Sequence, residues 1–368
     1  MASFFTRKLL DWNRGMNDRQ MPWKGEKDPY RIWISEIILQ QTRVEQGWAY
    51  YERFIASFPD IQALATAPDE EIFKHWEGLG YYSRCRNLIF TARQIHVERK
   101  GMFPKTYPEI AALKGIGPYT AAAIASFAFG LPYAVVDGNV IRVISRVFGI
   151  DAPADQPASR KLFTEKAQML LDVRHPAEYN QAIMDFGATI CKPQSPRCSV
   201  CPFQSDCQAY AFGRIAELPV KSKKIQKKKR FLHYLILEYN GQLFIRKRTA
   251  RDIWQQLFEF HLIEADRLLE TRELLDLPEV RAIVHPHSFE LIMVSGARRQ
   301  LLSHQELQGG FFHLKLNHPP SLPTGYQPVS RERLRDAAFP RFILSYLEEN
   351  AYFQSAEVQS FNEKGEVS

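Results

Sequence analysis

Residues 113–120 read Leu-Lys-Gly-Ile-Gly-Pro-Tyr-Thr and lie just before an apolar stretch, residues 121–129, that has helical character. Gly115 and Gly117, one residue apart, allow a tight backbone turn. The start of the following helix leaves N–H groups free to bind a phosphate. The pattern favours a hairpin between two helices that grips a phosphate backbone, although an ordinary turn between packed helices has the same local sequence.

The helical pattern extends on both sides of this hairpin. Apolar residues recur three and four positions apart, and short Gly and Pro signals separate the stretches. The chain has 368 residues, of which 45% are hydrophobic and 24% charged, values typical of a folded protein with more than one core. We therefore predict a mainly α-helical domain over residues 1–218 and a second domain after it.

Two carboxylates stand among apolar residues in this helical region. Glu36 lies in Trp33-Ile-Ser-Glu-Ile-Ile-Leu39, and Asp137 lies in Val135-Val-Asp-Gly-Asn-Val140. Burial raises the pKa of a carboxyl group unless a cation pairs with it. For either residue alone, a structural salt bridge is the default interpretation. Two such acids beside a phosphate-binding hairpin instead indicate acid–base chemistry.

Four of the five cysteines fall within 17 residues, in the pattern C-x6-C-x2-C-x5-C: Cys191, Cys198, Cys201 and Cys207. In a chain without an export signal, such clustering indicates metal ligation and not a disulfide framework. Four thiolates suit either tetrahedral zinc or a cubane iron–sulfur cluster. The single C-x2-C unit favours iron–sulfur, and the predicted role is structural.

The net charge of +7 is concentrated in one part of the chain. Residues 191–230 contain ten basic and two acidic residues, so the rest of the chain is close to neutral. We predict that residues 219–230 form an exposed basic linker, which either contacts phosphates or the other domain or acts as a spacer. No apolar stretch is long enough for a membrane helix, and charged residues interrupt the N-terminal segment, so we expect a cytoplasmic protein, nucleoid-associated if bacterial.

The periodicity changes after the linker. Residues 231–239 and 242–248 are strand-like and are joined by Asn240-Gly241, a strong hairpin signal. A helix is predicted over residues 264–275, with strands at 289–294 and 311–316. These elements predict a smaller α+β domain over residues 231–350 and a disordered tail over 351–368.

Taken together, these motifs resemble the endonuclease III-like helix-hairpin-helix DNA glycosylases that carry an iron–sulfur cluster, and most closely the MutY branch of adenine DNA glycosylases. The resemblance rests on residues 33–42, residues 78–84 (Gly-Leu-Gly-Tyr-Tyr-Ser-Arg), the hairpin at 113–120, Val136-Asp-Gly-Asn139 and the four cysteines. It implies that the cysteine loop at 191–207 holds one 4Fe-4S cluster.

The resemblance also implies an activity, the hydrolysis of the N-glycosidic bond of adenine mispaired with 8-oxoguanine or guanine in double-stranded DNA. Glu36 would protonate the departing base, and Asp137 would stabilise an oxocarbenium-like sugar, with Asn139 and Tyr119 positioning it. The base must be flipped out of the duplex to be reached.

DNA contacts follow from the same resemblance. Gln41 and Tyr81 would wedge into the base stack, while Gly115 and Gly117 would hold the backbone. Bifunctional relatives carry a nucleophilic lysine two residues after the second hairpin glycine, where this chain has Tyr119, so we expect base hydrolysis without strand cleavage. Lys24 stands where the family often has arginine, which puts any contact by that residue in doubt.

The C-terminal domain resembles the Nudix-like domain of MutY proteins. Phe258 replaces the glycine of a Nudix box and Leu277 its last glutamate, so pyrophosphatase activity is not expected. Leu301-Leu-Ser-His-Gln305 resembles the loop with which the MutY branch reads 8-oxoguanine, which implies that Ser303 and His304 recognise the lesion. Without the resemblance, a Ser-His pair in a loop is more simply a solvated turn. We expect a monomer that binds DNA and no membrane.

Overall fold

The computed structural model describes residues 3–42, 44–222, 227–284, 288–350 and Tyr352, and it forms two compact units. The first contains Met1–Ala67 and Arg86–Lys224, and the second contains Pro68–Cys85 and Ile225–Ser368, as far as these ranges are described. Within the described ranges, no helix has both the length and the apolar character needed to cross a membrane. The predicted combination of a helical region with a C-terminal α+β region is confirmed.

Residues 4–211 form helices joined by loops. In chain order they are α1 (Phe4–Met16), α2 (Pro29–Leu39), α3 (Val44–Ser57), α4 (Ile61–Thr66), α5 (Asp69–Trp76), α6 (Ser83–Arg99), α7 (Tyr107–Ala111), α8 (Pro118–Phe129), α9 (Gly138–Phe148), α10 (Pro157–Leu170), α11 (Pro176–Thr189) and α12 (Gln208–Ala211). Short 3₁₀ helices cover Cys198–Val200 and Gln204–Asp206 in the cysteine loop.

Local sequence signals determine where these helices begin. Ser3, Asp28 and Asp60 accept backbone N–H bonds at the starts of α1, α2 and α4. Proline occupies the first turn of α7, α8, α10 and α11, where its missing N–H costs no hydrogen bond. In the first unit these helices enclose an apolar core whose fully buried members include Leu9, Ile144, Phe163 and Phe186.

The second unit is built on an eight-stranded sheet. Its strands are β1 (Lys228–Tyr239), β2 (Gln242–Lys247), β3 (Phe258–Glu259), β4 (His261–Ala265), β5 (Phe289–Val294), β6 (Arg298–Leu301), β7 (Gln305–Leu316) and β8 (Tyr326–Ser330). The path β3-β2-β1-β7-β5 forms the sheet, with β4 beside β1, β6 beside β7 and β8 beside β2. Only the β1–β7 pairing is parallel among the described strands.

The C-terminal part of this unit also contains three α-helices and one tight turn. The helices are α13 (Thr271–Asp276), α14 (Pro278–Val284) and α15 (Arg341–Glu349), with a 3₁₀ helix at Glu332–Asp336. The predicted β1–β2 hairpin is confirmed, and Tyr239 pairs with Gln242 across it. Asn240 and Gly241 have φ angles of 50° and 74°, the left-handed conformations that a two-residue hairpin turn requires.

Three sequence predictions differ from the structure here. The linker ends before residue 230, because β1 begins at Lys228 and pairs with the long strand β7. The predicted helix over 264–275 is wrong at its start, because Glu264 lies in β4 and pairs with Leu232, and α13 covers only Thr271–Asp276. In the predicted tail, Tyr352 is buried and its hydroxyl is hydrogen-bonded to His313 Nδ1 at 2.8 Å. The other residues of 351–368, like linker residues 223–226, lie outside the described part.

The segment 68–85 clusters with the second unit, although the sequence placed it in the helical domain. The Phe339 backbone N–H donates to Glu77 Oε1 at 2.7 Å, and Lys247 Nζ pairs with Glu70 Oε1 at 2.5 Å. Burial raises the pKa of Glu77. The partners in these contacts are well over a hundred residues apart in the chain, so the local sequence does not predict them.

Candidate active site

A cavity of about 450 Å³ opens in the first unit. Its wall includes Glu36 from α2, Tyr119 from the first turn of α8, and Asp137 and Asn139 from the start of α9. These are the four residues that the sequence predicted to be catalytic. The fold thus brings both predicted acids to one cavity.

Glu36 is the buried acid of this cavity, with 5% of its surface exposed. Burial raises the pKa of Glu36 to about 7, a hydrogen bond from Tyr119 acts in the opposite direction, and the charge of Asp137 raises the pKa further. Burial also raises the pKa of Tyr119 well above its usual value, so its hydroxyl keeps its proton and donates to Glu36. Glu36 can therefore carry a proton near neutral pH.

Asp137 is the N-cap residue of α9 and is held by several donors. Its Oδ1 accepts the Val140 backbone N–H at 2.7 Å, and its Oδ2 accepts the Asn139 side-chain amide at 2.7 Å. Burial raises the pKa of Asp137, while these hydrogen bonds and Arg142 favour the ionised form. The two acids therefore differ in how well the protein stabilises the ionised carboxylate. Asp137 accepts more hydrogen bonds and caps a helix N-terminus, a position that favours an anion.

Sequence reasoning missed the residues that hold Asn139. Arg142 Nη2 donates to Asn139 Oδ1 at 2.8 Å and to Gly187 O at 2.7 Å, and Arg142 Nε donates to Cys191 O at 2.7 Å. A Cβ on Gly187 would lie 2.7 Å from the Cβ of Asn139, so only glycine fits there. The available signal was Arg142 and Arg146, four residues apart on the mainly apolar helix α9.

A third acid, also missed, pairs with two basic residues of the cavity wall. Asp185 is fully buried, and its carboxylate pairs with Arg19 Nη1 at 2.8 Å and with Lys24 Nζ at 3.1 Å. Lys24 Nζ also donates to Arg19 O at 2.8 Å. Arg19 and Lys24 both line the cavity. Lys24, the departure from the family pattern, thus keeps a positive charge at the cavity wall.

The predicted hairpin joins α7 to α8. Gly115 has a φ of 81°, and a Cβ there would lie 2.5 Å from Asn87 Cβ, so the turn requires glycine. Thr91 Oγ1 donates to Lys114 O at 2.8 Å and holds the turn from α6. Gly117 is the exposed N-cap residue of α8 and provides no side-chain cap. The start of α8 is therefore open to an incoming anion.

Gln41 and Tyr81, the two predicted wedge residues, share an unusual backbone conformation. Their φ angles are 60° and 48°, in the left-handed region that non-glycine residues rarely adopt. Both are exposed, Tyr81 to 42%. Strained, exposed residues of this kind are often found at functional sites.

The second unit brings Tyr81 to the predicted lesion loop. The hydroxyl groups of Tyr81 and Ser303 are hydrogen-bonded to each other. Arg84 supports the Tyr81 turn, because its guanidinium donates to Gly80 O at 3.2 Å and lies 5.5 Å from the centre of the Tyr81 ring. His304 is exposed beside Ser303, in the turn between β6 and β7.

The four clustered cysteines line one small cavity in the first unit. Among the described residues, no three His, Cys, Asp or Glu side chains are placed to hold a single metal ion. Arg146 is buried behind the loop, with Nη1 3.6 Å from Cys191 Sγ and 2.7 Å from Lys192 O. Burial raises the pKa of Cys201 to about 11.

Comparison with known proteins agrees with these features. The HhH-GPD superfamily of base excision DNA repair proteins matches residues 34–168. An adenine DNA glycosylase of Buchnera aphidicola subsp. Baizongia pistaciae is 38% identical over 259 residues, covering 70% of this chain and 73% of that protein. The adenine DNA glycosylase of Rattus norvegicus is 43% identical over 228 residues, covering 58% of this chain and 44% of that protein.

A solved structure of a thermostable thymine-DNA glycosylase is also similar. It superposes with a TM-score of 0.53 at 31% identity and covers 56% of this chain and 95% of its own. These comparisons confirm the resemblance predicted from the motifs, and with it an enzyme that hydrolyses N-glycosyl bonds. The chain belongs to the adenine DNA glycosylase family, within the HhH-GPD superfamily of base excision DNA repair proteins.

Proposed function

We propose that this protein releases adenine mispaired with 8-oxoguanine or guanine in duplex DNA by hydrolysing the N-glycosidic bond, without cutting the strand. The observation that carries the proposal is the single cavity lined by Glu36, Asp137 and Tyr119. Cleavage of this bond needs a proton for the leaving base and a negative charge beside the sugar. The two acids supply one each.

Glu36 acts as the general acid. A carboxyl group whose pKa is raised to about 7 is available in the protonated form at neutral pH and can donate to N7 of adenine. Its buried position favours the neutral form before the reaction. General acid catalysis of this kind contributes roughly 10² to 10⁴ in rate.

Asp137 acts as the anion that stabilises the oxocarbenium-like sugar. Its hydrogen bonds from the Val140 N–H and the Asn139 amide fix the carboxylate and favour its ionised form. Asn139 is itself oriented by Arg142, so the carboxylate is held in advance of the reaction. Tyr119 positions Glu36 through its hydroxyl.

DNA is held through its backbone and opened by a wedge. The hairpin at Gly115 and Gly117 offers the uncapped start of α8 to a phosphate. Gln41 and Tyr81 fill the gap that the flipped adenine leaves in the stack. Adenine then enters the cavity, whose volume of about 450 Å³ has room for one nucleobase.

The lesion opposite the adenine is read by the loop between β6 and β7. Ser303 presents its hydroxyl to the N7–H and O8 edge of 8-oxoguanine, and His304 braces the DNA backbone. The hydrogen bond between Tyr81 and Ser303 supports this assignment, because it keeps the wedge and the reading loop together. Leu302 stands where phenylalanine is usual in the MutY branch.

The cysteine loop is proposed to hold one 4Fe-4S cluster through Cys191, Cys198, Cys201 and Cys207. The four thiols line one small cavity. A cubane needs four such ligands, because each thiolate binds a separate iron. The cluster would cross-link the loop, and Arg146 beside Cys191 would offset its negative charge.

An endonuclease III-like lyase for damaged pyrimidines is the main competing function. A lyase needs an amine nucleophile, and the hairpin position that carries it in such enzymes is Tyr119 here, with its hydroxyl committed to Glu36. Borohydride trapping on damaged-pyrimidine DNA separates the two functions. We expect no trapped adduct, and efficient trapping would favour the lyase.

The direct test is a cleavage assay on a labelled duplex that contains adenine opposite 8-oxoguanine. We expect an alkali-labile site at the adenine, and an intact strand when alkali is omitted. A duplex with thymine opposite guanine serves as the matched control, because the similar solved structure is named a thymine-DNA glycosylase. Release of thymine in preference to adenine would contradict the proposal.

A further inference from the structure

The last residues of the basic segment belong to a strand that lies beside the loop of Ser303 and His304. Lys228 pairs with Gln305 and Lys229 with Glu306 in the parallel β1–β7 ladder. The Lys228 backbone N–H donates to His304 O at 3.0 Å. Because neighbouring strands are about 4.8 Å apart, these lysines flank the loop directly.

Three of the four basic residues at positions 227–230 form no ion pair within the described part of the chain. Lys227, Lys228 and Lys229 are exposed, and the pKa of Glu306 is lowered mainly by Arg299 and to a smaller extent by the charge of Lys229. Arg230 differs, since it binds Asp252 at 2.9 Å and Glu264 at 2.6 Å. Glu306, the nearest acid along β7, is already paired with Arg299 at 2.8 Å.

This arrangement places three exposed ammonium groups beside a loop that carries no net charge of its own. Successive side chains of a strand point to opposite faces, so Lys228 and Lys229 reach both sides of the strand start, and Lys227 precedes them. A flexible ammonium group binds phosphate as a point charge and does not read bases. Such an edge suits a nucleic-acid backbone that runs past the loop.

We propose that Lys227, Lys228 and Lys229 form a phosphate-binding edge that seats the strand containing the oxidised guanine against the Ser303–His304 loop. This inference rests on the proposed function: the lysines are assigned to the strand that contains 8-oxoguanine because the neighbouring loop is proposed to read that base. The edge supplies affinity and position, while Ser303 supplies the choice between 8-oxoguanine and guanine.

The test measures DNA binding as a function of salt for the full chain in which all three lysines are changed to alanine. Each lost phosphate contact lowers the slope of log K against log salt by about 0.9 in magnitude. We expect the slope to fall by the equivalent of one to three phosphate contacts, and the ratio of affinities for 8-oxoguanine and guanine duplexes to stay unchanged. Arginine at the same three positions should restore the slope.

Two controls make the result specific. Lys315→Ala removes an exposed lysine at the far end of β7, where Lys315 pairs with Glu238 in the same sheet, and should leave the slope unchanged. Ser303→Ala should lower the lesion preference without changing the slope. A triple variant whose slope equals that of the wild type, or which loses the lesion preference as Ser303→Ala does, overturns the proposal.

Neutral methylphosphonate linkages beside the 8-oxoguanine identify the strand. If the lysines bind there, this DNA should bind the wild type more weakly than unmodified DNA does, and the triple variant equally well. The same linkages placed in the adenine strand should leave the difference in affinity between the wild type and the triple variant unchanged. The reverse result overturns the strand assignment. These experiments measure DNA binding, whereas the cleavage assay measures adenine release. A failure of the proposed function can therefore be told apart from a failure of the phosphate-binding edge.

Discussion

The hydroxyl of Tyr119 is hydrogen-bonded to the carboxyl group of Glu36, at a cavity that Asp137 also lines. The bond joins the first turn of α8 to the middle of α2, so it links the hairpin that precedes α8 to the buried acid. The bond lowers the pKa of Glu36 and so opposes burial, the larger effect, which raises that pKa to about 7.

The pH dependence of adenine release tests this relationship. Glu36 must be protonated to act as an acid, so the single-turnover rate should be highest below pH 7 and fall as pH rises through about 7. Tyr119→Phe removes the hydrogen bond that lowers the pKa of Glu36, so the midpoint of the decline should move to higher pH. A rate that is constant from pH 6 to 9 would rule out Glu36 as the proton donor.

Stability should show the same titration. The pKa of Glu36 is raised from 4.5 to about 7 in the folded state, so its burial lowers the free energy of unfolding as pH rises from about 4.5 to 7. Glu36→Gln removes this loss. At pH 8 the variant should be more stable than the wild type by on the order of 3 kcal/mol, and at pH 4 the difference should vanish. Denaturant unfolding at both pH values measures it.

Gly187→Ala should impair catalysis from outside the cavity wall. The Cβ of alanine at position 187 would lie 2.7 Å from Asn139 Cβ and 3.0 Å from Asn139 O. This clash must displace Asn139, whose side-chain amide holds Asp137. We expect at least a tenfold lower rate of adenine release and a destabilisation of about 1–3 kcal/mol. Gly15→Ala is the matched control, since a Cβ there meets nothing within 4 Å and the site is helical. Equal rates for the two variants would exclude this role.

Iron and sulfide analysis tests the cysteine loop. The purified protein should contain about four of each per chain if all four clustered thiols bind a cubane. Cys198→Ala should lower the iron content and the thermal stability of the first unit, whereas Cys85→Ala, at a buried position on α6, should keep the full iron content. One zinc ion per chain with no iron would contradict the assignment.

Much of this architecture could be predicted from local sequence. A few neighbouring residues are enough to recognise the hairpin glycines, the Asn240-Gly241 turn and the isolated acids Glu36 and Asp137. Long-range partners could not be predicted in the same way. Arg142 can be picked out as an arginine on α9, but its contacts with Asn139, Gly187 and Cys191 cannot be read from the local sequence.

The basic segment shows why charge alone misleads about secondary structure. A run of lysines suggested an exposed linker up to residue 230, yet β1 begins at Lys228 because β7 offers backbone hydrogen bonds along its whole length. Arg230 then finds two acids, Asp252 and Glu264, that are distant in sequence. The same pairing brings the remaining lysines beside His304.

The most direct test of the central claim is adenine release by Glu36→Gln from one labelled duplex with adenine opposite 8-oxoguanine, under single-turnover conditions. We expect a rate lower by about 10² to 10⁴ with binding to the mispair retained, because glutamine keeps the shape of the side chain but cannot donate an acidic proton. Glu178→Gln, at another carboxylate of the cavity wall, should keep the wild-type rate. A Glu36→Gln variant that releases adenine as fast as the wild type would contradict the account.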